Sequence, residues 1–327
     1  MKIFAVGRVC IDEFYTLKSY GNRIESTKVA VDFQGRQLGG SIFNSMRILA
    51  GINNDCFIIC SGFESESDND YLKSSLESHS INHFVVQKKE SLRSIILLSD
   101  KQKLLSVFSI NETKEQLITT DDLKHFNNCS GDDICYLLVD LRQKYAAKAL
   151  IDSNKLTRQR VVLDPGTSVA FKEECNFEHH KYITSHSHII IASKDFYNMF
   201  GCFKKLSDYF SLEIFEQAKL LVCNLPNGES VIATKAFCFT VSRKNYNLHI
   251  GNTLGAGDAF IGAFLASFAD GQFNDEYAVF NATKSAIAAA TLKIEDSNLF
   301  PIMPSFDDIL KKAITMSFEC KNTDYLT

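Results

Sequence analysis

The sequence predicts an α/β fold in which helices cover both faces of a mostly parallel sheet, with a small separate β-sheet beside it. Three observations support this prediction. Short apolar segments rich in Val and Ile recur along the chain, helix-length segments separate most of them, and two regions instead alternate apolar with polar residues. Strands that are apolar throughout are typical of a parallel sheet buried on both faces.

The strands of the large sheet are predicted from these apolar segments, at 2–7, 56–60, 134–140, 161–165, 188–193 and 219–224. Helices are predicted at 257–269 and 276–292, because their apolar residues recur at helical spacing. A third helix is predicted in "GGSIFNSMRILAG", with Ser41 as its N-cap and Gly51 closing it. The large domain is therefore a doubly wound sandwich of helices around one sheet.

Residues 13–36 and 84–110 contain the alternating pattern of half-exposed antiparallel strands. We expect these two segments to form a β lid, and residues 1–12, 37–83 and 111–327 to form the α/β domain. A lid could exclude water from a site or form the contact of a homodimer. An ordinary extension of the sheet is the alternative.

Composition points to a small-molecule ligand. The chain has 327 residues, of which 45% are hydrophobic, and its net charge of -4 gives no basic field for nucleic acid or anionic lipid. No apolar stretch reaches the roughly 20 residues of a membrane span, so we expect a cytoplasmic protein. The ten cysteines include no CxxC pair, which is typical of reduced, buried thiols.

One group of thiol and imidazole side chains could suggest a metal site. Its spacing matches no common zinc pattern, and the segment is polar and loop-like, so we predict no metal site there. The group consists of Cys175, His179, His180, His186 and His188.

The stretch "NTLGAGDAF" places Gly255, Ala256 and Gly257 directly before a predicted helix. Glycines let backbone N–H groups converge, and a helix N-terminus favours an anion such as phosphate. The stretch is neither a Walker loop nor the dinucleotide fingerprint. Asp258 is either a first-turn carboxylate that stabilises the helix by roughly 0.3 to 1 kcal/mol, or an acid/base group. Alone, the motif favours the first interpretation.

Two further features change that balance. Asn44 lies off the apolar face of the helix after Gly39 and Gly40, where its amide could bind sugar hydroxyls. Asp12 follows the first predicted strand, and carboxyl ends of strands face the ligand crevice in open α/β sheets. Together with Asp258 they form an ordered set that random loops rarely supply.

This set resembles the ribokinase-like (PfkB) family of carbohydrate kinases. "LGGSIFN" is similar to the family's Gly-Gly-x-x-x-Asn signature, and "NTLGAGDAF" is similar to its Asp-Thr-x-Gly-Ala-Gly-Asp signature. Within the family, "ASKDFYNMFG", "LVCN" and "TLGAGD" resemble the ketohexokinases. The resemblance implies transfer of a phosphoryl group from ATP to a sugar hydroxyl, and a ketohexose such as fructose is the expected substrate.

The resemblance also implies roles for individual residues. Asp258 would accept the hydroxyl proton, and the N–H groups of Gly255, Ala256 and Gly257 would stabilise charge on the phosphoryl group. A weak base suffices, because a loose transition state depends on positioning. Sugar hydroxyls would contact Asp12, Gly40, Ser41, Asn44 and Asp140. ATP would contact Lys103, Ser193, Asn224, Asn227, Gly228, Gly255, Gly257 and Ala282. Mg²⁺ would bridge the phosphates through water.

Three departures from the family pattern keep alternatives open. Asn252 replaces an Asp that helps bind an activating monovalent cation in related kinases. The N-x-x-E motif is absent, with Asp195 as the only carboxylate of the matching stretch, and Pro226 stands where glycine is frequent. A catalytically silent sugar or nucleotide sensor, or a kinase of nucleosides or sugar acids, are therefore the competing hypotheses.

Overall fold

A computed structural model describes most of the chain. The described residues are 2–17, 31–52, 55–90, 93–99, 104–110, 118–119, 121–125, 135–152, 159–166, 177–244, 246–248, 250–251, 253–268, 273–298, 300 and 302–326.

Within these residues the strands are numbered along the chain. They are β1 (Lys2–Val6), β2 (Cys10–Leu17), β3 (Val31–Gly39), β4 (Asp55–Phe63), β5 (Asn82–Glu90), β6 (Arg93–Leu98), β7 (Leu104–Ile110), β8 (Cys135–Asp140), β9 (Gln159–Asp164), β10 (Ile189–Ser193), β11 (Leu220–Asn224), β12 (Ser230–Ala233), β13 (Cys238–Arg243) and β14 (Phe318–Lys321). The helices are α1 (Ser41–Ala50), α2 (Glu66–Ser78), α3 (Lys144–Asp152), α4 (Phe177–Ser185), α5 (Lys194–Asn198), α6 (Ala256–Ser267), α7 (Glu276–Glu295) and α8 (Phe306–Thr315).

The large sheet has the strand order β14-β13-β12-β11-β10-β9-β8-β1-β4-β5. The strands from β11 to β5 pair in parallel, and β12, β13 and β14 extend one edge in antiparallel fashion. The chain builds outward from β1 in one direction through β4 and β5, then in the other direction from β8. The strand order therefore reverses between β1 and β8, and ligands of open α/β sheets bind beside such a reversal.

Two hydrophobic cores sandwich the large sheet. In β1, Ile3 and Ala5 pack in the core that contains α1, α6 and α7, whereas Phe4 and Val6 pack in the core that contains α3 and α4. Side chains of successive strand residues point to opposite faces, so a strand buried on both faces must be apolar throughout. The predicted fold class is confirmed.

The small sheet has the order β3-β2-β6-β7. Its outer pairs are antiparallel, whereas β2 and β6 run parallel. One side packs through Phe14, Ile96 and Leu98 against Leu254 and Phe300 of the large domain. The small sheet is therefore anchored beside the segment that leads into α6.

Arg93 adds a polar anchor to the same sheet. Its guanidinium pairs with Glu13 on β2 and with Asp68 on α2, the latter at 2.6 Å. Arg36 on β3 also pairs with Asp68, at 2.9 Å. One carboxylate of the large domain thus binds two strands of the small sheet.

The boundaries of the two sheets differ from the predicted ones in three places, one of which is the end of β3, where residues 37–39 lie in the small sheet and not in the α/β domain. β5 covers part of the predicted lid segment 84–110 but pairs with β4 at the edge of the large sheet. Conversely, β2 begins at Cys10, with only three residues between it and the end of β1, so Asp12 lies inside a strand of the small sheet. An alternating pattern marks a half-exposed strand in either sheet, which is why it did not separate the two.

Candidate active site

A cavity of about 670 Å³ lies at the carboxyl ends of the parallel strands. Asp164, Ser193 and Asn224, the last residues of β9, β10 and β11, line it from the large sheet. Among the described residues, the turn before α6, the start of α1 and the inner side of the small sheet also line it. The small sheet therefore covers the crevice at which the sheet topology predicts a ligand.

The turn before α6 supplies the glycines of the cavity wall. Gly255 is the N-cap of α6 and has a φ of 80°, a left-handed conformation that favours glycine. A Cβ added to Gly257 would meet no atom within 4 Å, so this part of the backbone is open to a ligand. The N–H of Ala256 instead donates to the carbonyl of Thr253 at 3.2 Å, and Ala256 does not line the cavity.

Asp258 lies in the first turn of α6, is half-buried and lines the cavity. Two neighbouring residues of α1 hold it. The amide of Asn44 donates to its carboxylate oxygen Oδ2 at 2.8 Å, and the hydroxyl of Ser45 donates to its backbone carbonyl at 2.9 Å. The structure thus brings Asp258 and Asn44 together and gives Asn44 a partner that the sequence did not indicate.

A close helix contact sets this geometry. A Cβ added to Gly262 of α6 would lie only 2.7 Å from the carbonyl oxygen of Ser45 on α1. The missing side chain lets the two helix backbones approach closely. This approach brings α1 within hydrogen-bonding distance of Asp258.

Asp12 reaches the cavity from the small sheet and is 7% exposed. Its carboxylate fits against Gly39, where an added Cβ would lie 1.9 Å from Oδ2. The thiol of Cys10 donates to Asp12 Oδ1 at 3.3 Å, and the hydroxyl of Ser94 donates to that thiol at 3.7 Å. Burial, reinforced by the Asp12 charge, raises the pKa of Cys10, so this group acts as a neutral donor.

Ser41 and Asp140 form a second pair near the reversal of strand order. Ser41 lines the cavity, whereas Asp140 is fully buried behind it and accepts a hydrogen bond of 2.8 Å from the Ser41 hydroxyl. The predicted N-cap role of Ser41 is wrong. Gly40 caps α1 with a φ of 104°, and the hydroxyl binds the distant carboxylate instead of the helix.

The residues predicted to bind ATP are not all brought together. Ser193 and Asn224 line the cavity, and Asn224 accepts a hydrogen bond of 2.8 Å from Ser230. Ala282 is fully buried in α7, so its side chain has no cavity surface. Lys103 and the departure at Asn252 lie outside the described residues.

The loop after β11 contains two more of the residues predicted to bind ATP. The side chain of Asn227 donates to Glu229 at 2.8 Å, and Gly228 has a φ of 83° beside the guanidinium of Arg243. Neither residue lines the cavity. Pro226, the third residue of interest in this loop, is exposed.

Sequence reasoning missed Asp164, which is 8% exposed and lines the cavity at the end of β9. It accepts a hydrogen bond of 2.9 Å from the N–H of Gly166, as in a turn. The signal was a carboxylate after an apolar strand in "VVLDPG", the same pattern that identified Asp12. Ser94 and Thr253 also line the cavity without having been predicted.

No group of three potential metal ligands occurs among the described residues. Of the histidines in the thiol and imidazole group, His188 accepts a hydrogen bond of 3.2 Å from the N–H of Val161, and burial lowers its pKa. His186 lies with its ring against Tyr182, at a centroid distance of 4.2 Å. Cys175 lies outside the described part of the chain. In that part, no helix combines the length and apolar character needed to cross a membrane.

Comparisons with known proteins agree with this architecture. The ribokinase from Thermotoga maritima is 18% identical, with 96% of this chain and 99% of that chain covered and a TM-score of 0.67. The ribokinase from Giardia lamblia is 13% identical, with 95% and 97% covered and a TM-score of 0.71. A nucleoside kinase from Methanocaldococcus jannaschii is 15% identical, with 96% and 98% covered and a TM-score of 0.64.

At these identities the solved structures show a shared fold. A sequence comparison with curated proteins found no significant match. The sequence profile of the pfkB family carbohydrate kinases, however, matches residues 2–302, which is most of the chain. The protein belongs to the pfkB family of carbohydrate kinases.

Proposed function

We propose that the protein transfers the γ-phosphoryl group of MgATP to a hydroxyl of a neutral monosaccharide, a ketohexose such as fructose. The observation that carries this proposal is the placement of Asp258. Its carboxylate lies on the cavity wall, in the first turn of α6, and is oriented by Asn44 at 2.8 Å. The same cavity has room for a sugar beside the small sheet and for phosphates beside the glycines.

Asp258 would act as the base. A carboxylate in the first turn of a helix is stabilised in its charged form, so it is a weak proton acceptor. Weak basicity is sufficient because phosphoryl transfer depends mainly on positioning and charge stabilisation. The amide of Asn44 orients the carboxylate, and the carboxylate would accept the proton of the attacking hydroxyl.

The exposed backbone at Gly257 and the left-handed turn at Gly255 would hold the transferring phosphoryl group. Backbone N–H groups at a helix N-terminus stabilise developing negative charge without moving during the reaction. The Ala256 N–H, occupied by the Thr253 carbonyl at 3.2 Å, contributes less than the sequence suggested. Bound Mg²⁺ would neutralise charge on the phosphates, and it would arrive with the nucleotide, its natural ligand.

The polar side chains on the wall favour a neutral sugar. Among the described residues that line the cavity, the charged ones are the carboxylates of Asp12, Asp164 and Asp258. Carboxylates accept hydrogen bonds from sugar hydroxyls but repel a phosphate or carboxylate on the acceptor. This favours a polyhydroxylated neutral acceptor over a sugar acid or a sugar phosphate.

Two alternative functions are each supported by a particular observation. Asn252, Pro226 and the missing N-x-x-E motif would fit a silent sensor that binds a sugar or nucleotide without turnover. The fold likeness to the nucleoside kinase from Methanocaldococcus jannaschii fits a nucleoside acceptor. The ketohexokinase likeness rests on short stretches, and it selects fructose as the first sugar to test.

The experiment measures ADP release by a coupled assay with MgATP and a panel of sugars, sugar acids and nucleosides. We expect turnover with a neutral sugar, and a fall in kcat of about a hundredfold or more for Asp258→Asn. Asp308→Asn is the matched control, because Asp308 also lies in the first turn of a helix, α8, outside this cavity. Binding without turnover would support the sensor, and an unimpaired Asp258→Asn enzyme would exclude Asp258 as the base.

We also propose that a second copy of the chain contacts the small sheet. Its edge strands expose apolar side chains, with Phe33 58% and Phe108 51% exposed. Apolar surface on an edge strand invites pairing with another chain. Sedimentation equilibrium of the wild type and Phe33→Lys tests this homodimer, which the variant should weaken.

A further inference from the structure

Lys293, near the end of α7, is a buried cation beside the candidate active site. Its side chain is 1% exposed, and its ammonium nitrogen has no hydrogen-bond partner among the described residues. Burying an unpaired ammonium is costly, because the protein interior solvates charge poorly. A side chain of this kind therefore needs an explanation beyond packing.

The geometry places this cation directly behind the glycine turn. A Cβ added to Gly255 would lie 3.5 Å from Lys293 Cε and 3.7 Å from Asn44 Nδ2. The end of the lysine side chain thus packs against the residue that caps α6. The cavity wall at Gly255 separates it from any ligand that the turn holds.

The charges around Lys293 come from three elements. The pKa of Lys293 is lowered to about 8, chiefly by burial and to a lesser degree by Arg47 of α1, against the opposing effect of Asp296 after α7 and Asp258 of α6. Neither carboxylate forms a hydrogen bond with it, so attraction only partly offsets burial. A negative ligand on the other side of the turn would supply the missing attraction.

We infer that Lys293 is a positioning residue for the nucleotide, whose fixed positive charge behind Gly255 strengthens phosphate binding at the start of α6. This inference rests on the proposed kinase function. The lysine acts through the turn and does not itself touch the ligand. Its charge adds to the partial positive charge of the helix N-terminus, and at short range in a poorly screened interior such additions are large.

A purely structural role makes a different prediction. If the lysine only filled space, an uncharged side chain of similar length would serve equally well, and loss of stability would affect every ligand alike. A charge behind the phosphate site affects only ligands that carry phosphates. The comparison of ADP with adenosine therefore separates the two roles.

The experiment measures binding of ADP and of adenosine to Lys293→Met by isothermal titration calorimetry. We expect ADP affinity to fall about tenfold or more, while adenosine affinity stays the same. Lys284→Met on the same helix is the matched control, since Lys284 lies over Phe280 at 5.6 Å and outside the cavity wall. Equal losses for ADP and adenosine, or no loss, would overturn the inference.

A second measurement uses the wild type alone and stands if Lys293→Met does not fold. Above pH 8 a growing share of the free protein carries neutral Lys293, and a bound anion raises its pKa. ADP binding should therefore take up protons, with the largest uptake between pH 8 and pH 9 and little uptake at pH 7. Titrations in two buffers of different ionisation enthalpy measure this uptake, and its absence would overturn the inference.

The sugar assay keeps the two proposals distinguishable. Turnover by the wild type together with unchanged ADP binding by Lys293→Met would remove the role of Lys293 and leave the kinase function intact. A wild type that binds no nucleotide would overturn the kinase function and, with it, the role of Lys293.

Discussion

The contact between α1 and α6 can be tested by adding one methyl group at Gly262. The new Cβ would lie 2.7 Å from the carbonyl oxygen of Ser45, whereas ordinary contact begins at 3.4 Å. The helices would have to separate by roughly 0.7 Å, the difference between these distances. The hydrogen bond of Asn44 to Asp258, now 2.8 Å long, would then stretch to about 3.5 Å and be lost.

Two opposing terms set the stability of Gly262→Ala. Ala is favoured over Gly inside a helix by about 1 kcal/mol, while overpacking costs about 1 to 3 kcal/mol. The free energy of unfolding should therefore change between no loss and a loss of about 2 kcal/mol. Gly257→Ala is the matched variant on the same helix, because its Cβ meets no atom within 4 Å. It should gain up to about 1 kcal/mol.

Urea unfolding followed by circular dichroism measures both variants, which suits a chain without tryptophan. The coupled assay should show that Gly262→Ala lowers kcat by roughly tenfold to a hundredfold, because the base loses its orientation. A Gly262→Ala protein stabilised as much as Gly257→Ala, with normal turnover, would refute the close approach of the helices and its role in holding Asp258.

Three further outcomes are expected. Because Asn252 is neutral, turnover should be equal in potassium and tetramethylammonium chloride, and activation by potassium would contradict this. Burial raises the pKa of the Cys10 thiol, so a maleimide at pH 8 should label exposed Cys202 and reach Cys10 only in urea, as peptide mass spectrometry would show. Burial disfavours the charged form of Glu295, but the hydrogen bond from Lys312 lowers the pKa of Glu295 overall. This ion pair therefore stabilises the fold above about pH 4.5, and its contribution to the free energy of unfolding is lost as the pH falls. Lys312→Met should cost about 1 kcal/mol at pH 7 and flatten this acid dependence, and equal pH curves for both proteins would count against the pairing.

The parallel strands could be predicted because a strand that is buried on both faces has an uninterrupted apolar run in its sequence. The same holds for α6 and α7, whose apolar residues repeat at helical spacing. The sequence of a half-exposed strand does not show to which of the two sheets the strand belongs. For this reason the pattern placed β5, the start of β2 and the end of β3 in the wrong sheet.

The candidate site was predictable where local sequence dictates backbone shape, as at Gly255, with its left-handed turn. The site was not predictable where a side chain forms a hydrogen bond with a residue that is distant in the sequence. Ser41 was expected to cap its own helix, but it binds Asp140, 99 residues away. Asp164 was not predicted as a site residue, since a carboxylate directly before proline is equally typical of a simple turn.

The hydrogen bond between Asn44 and Asp258 joins residues 214 positions apart. During synthesis on the ribosome, the contact of α1 with α6 can therefore form only after the intervening segment between these helices has been made. Nascent chains with such late-completed surfaces are prone to aggregate and depend on chaperones. Expression of this protein should accordingly benefit from slow translation or added chaperone capacity more than a protein whose neighbouring helices are close in sequence.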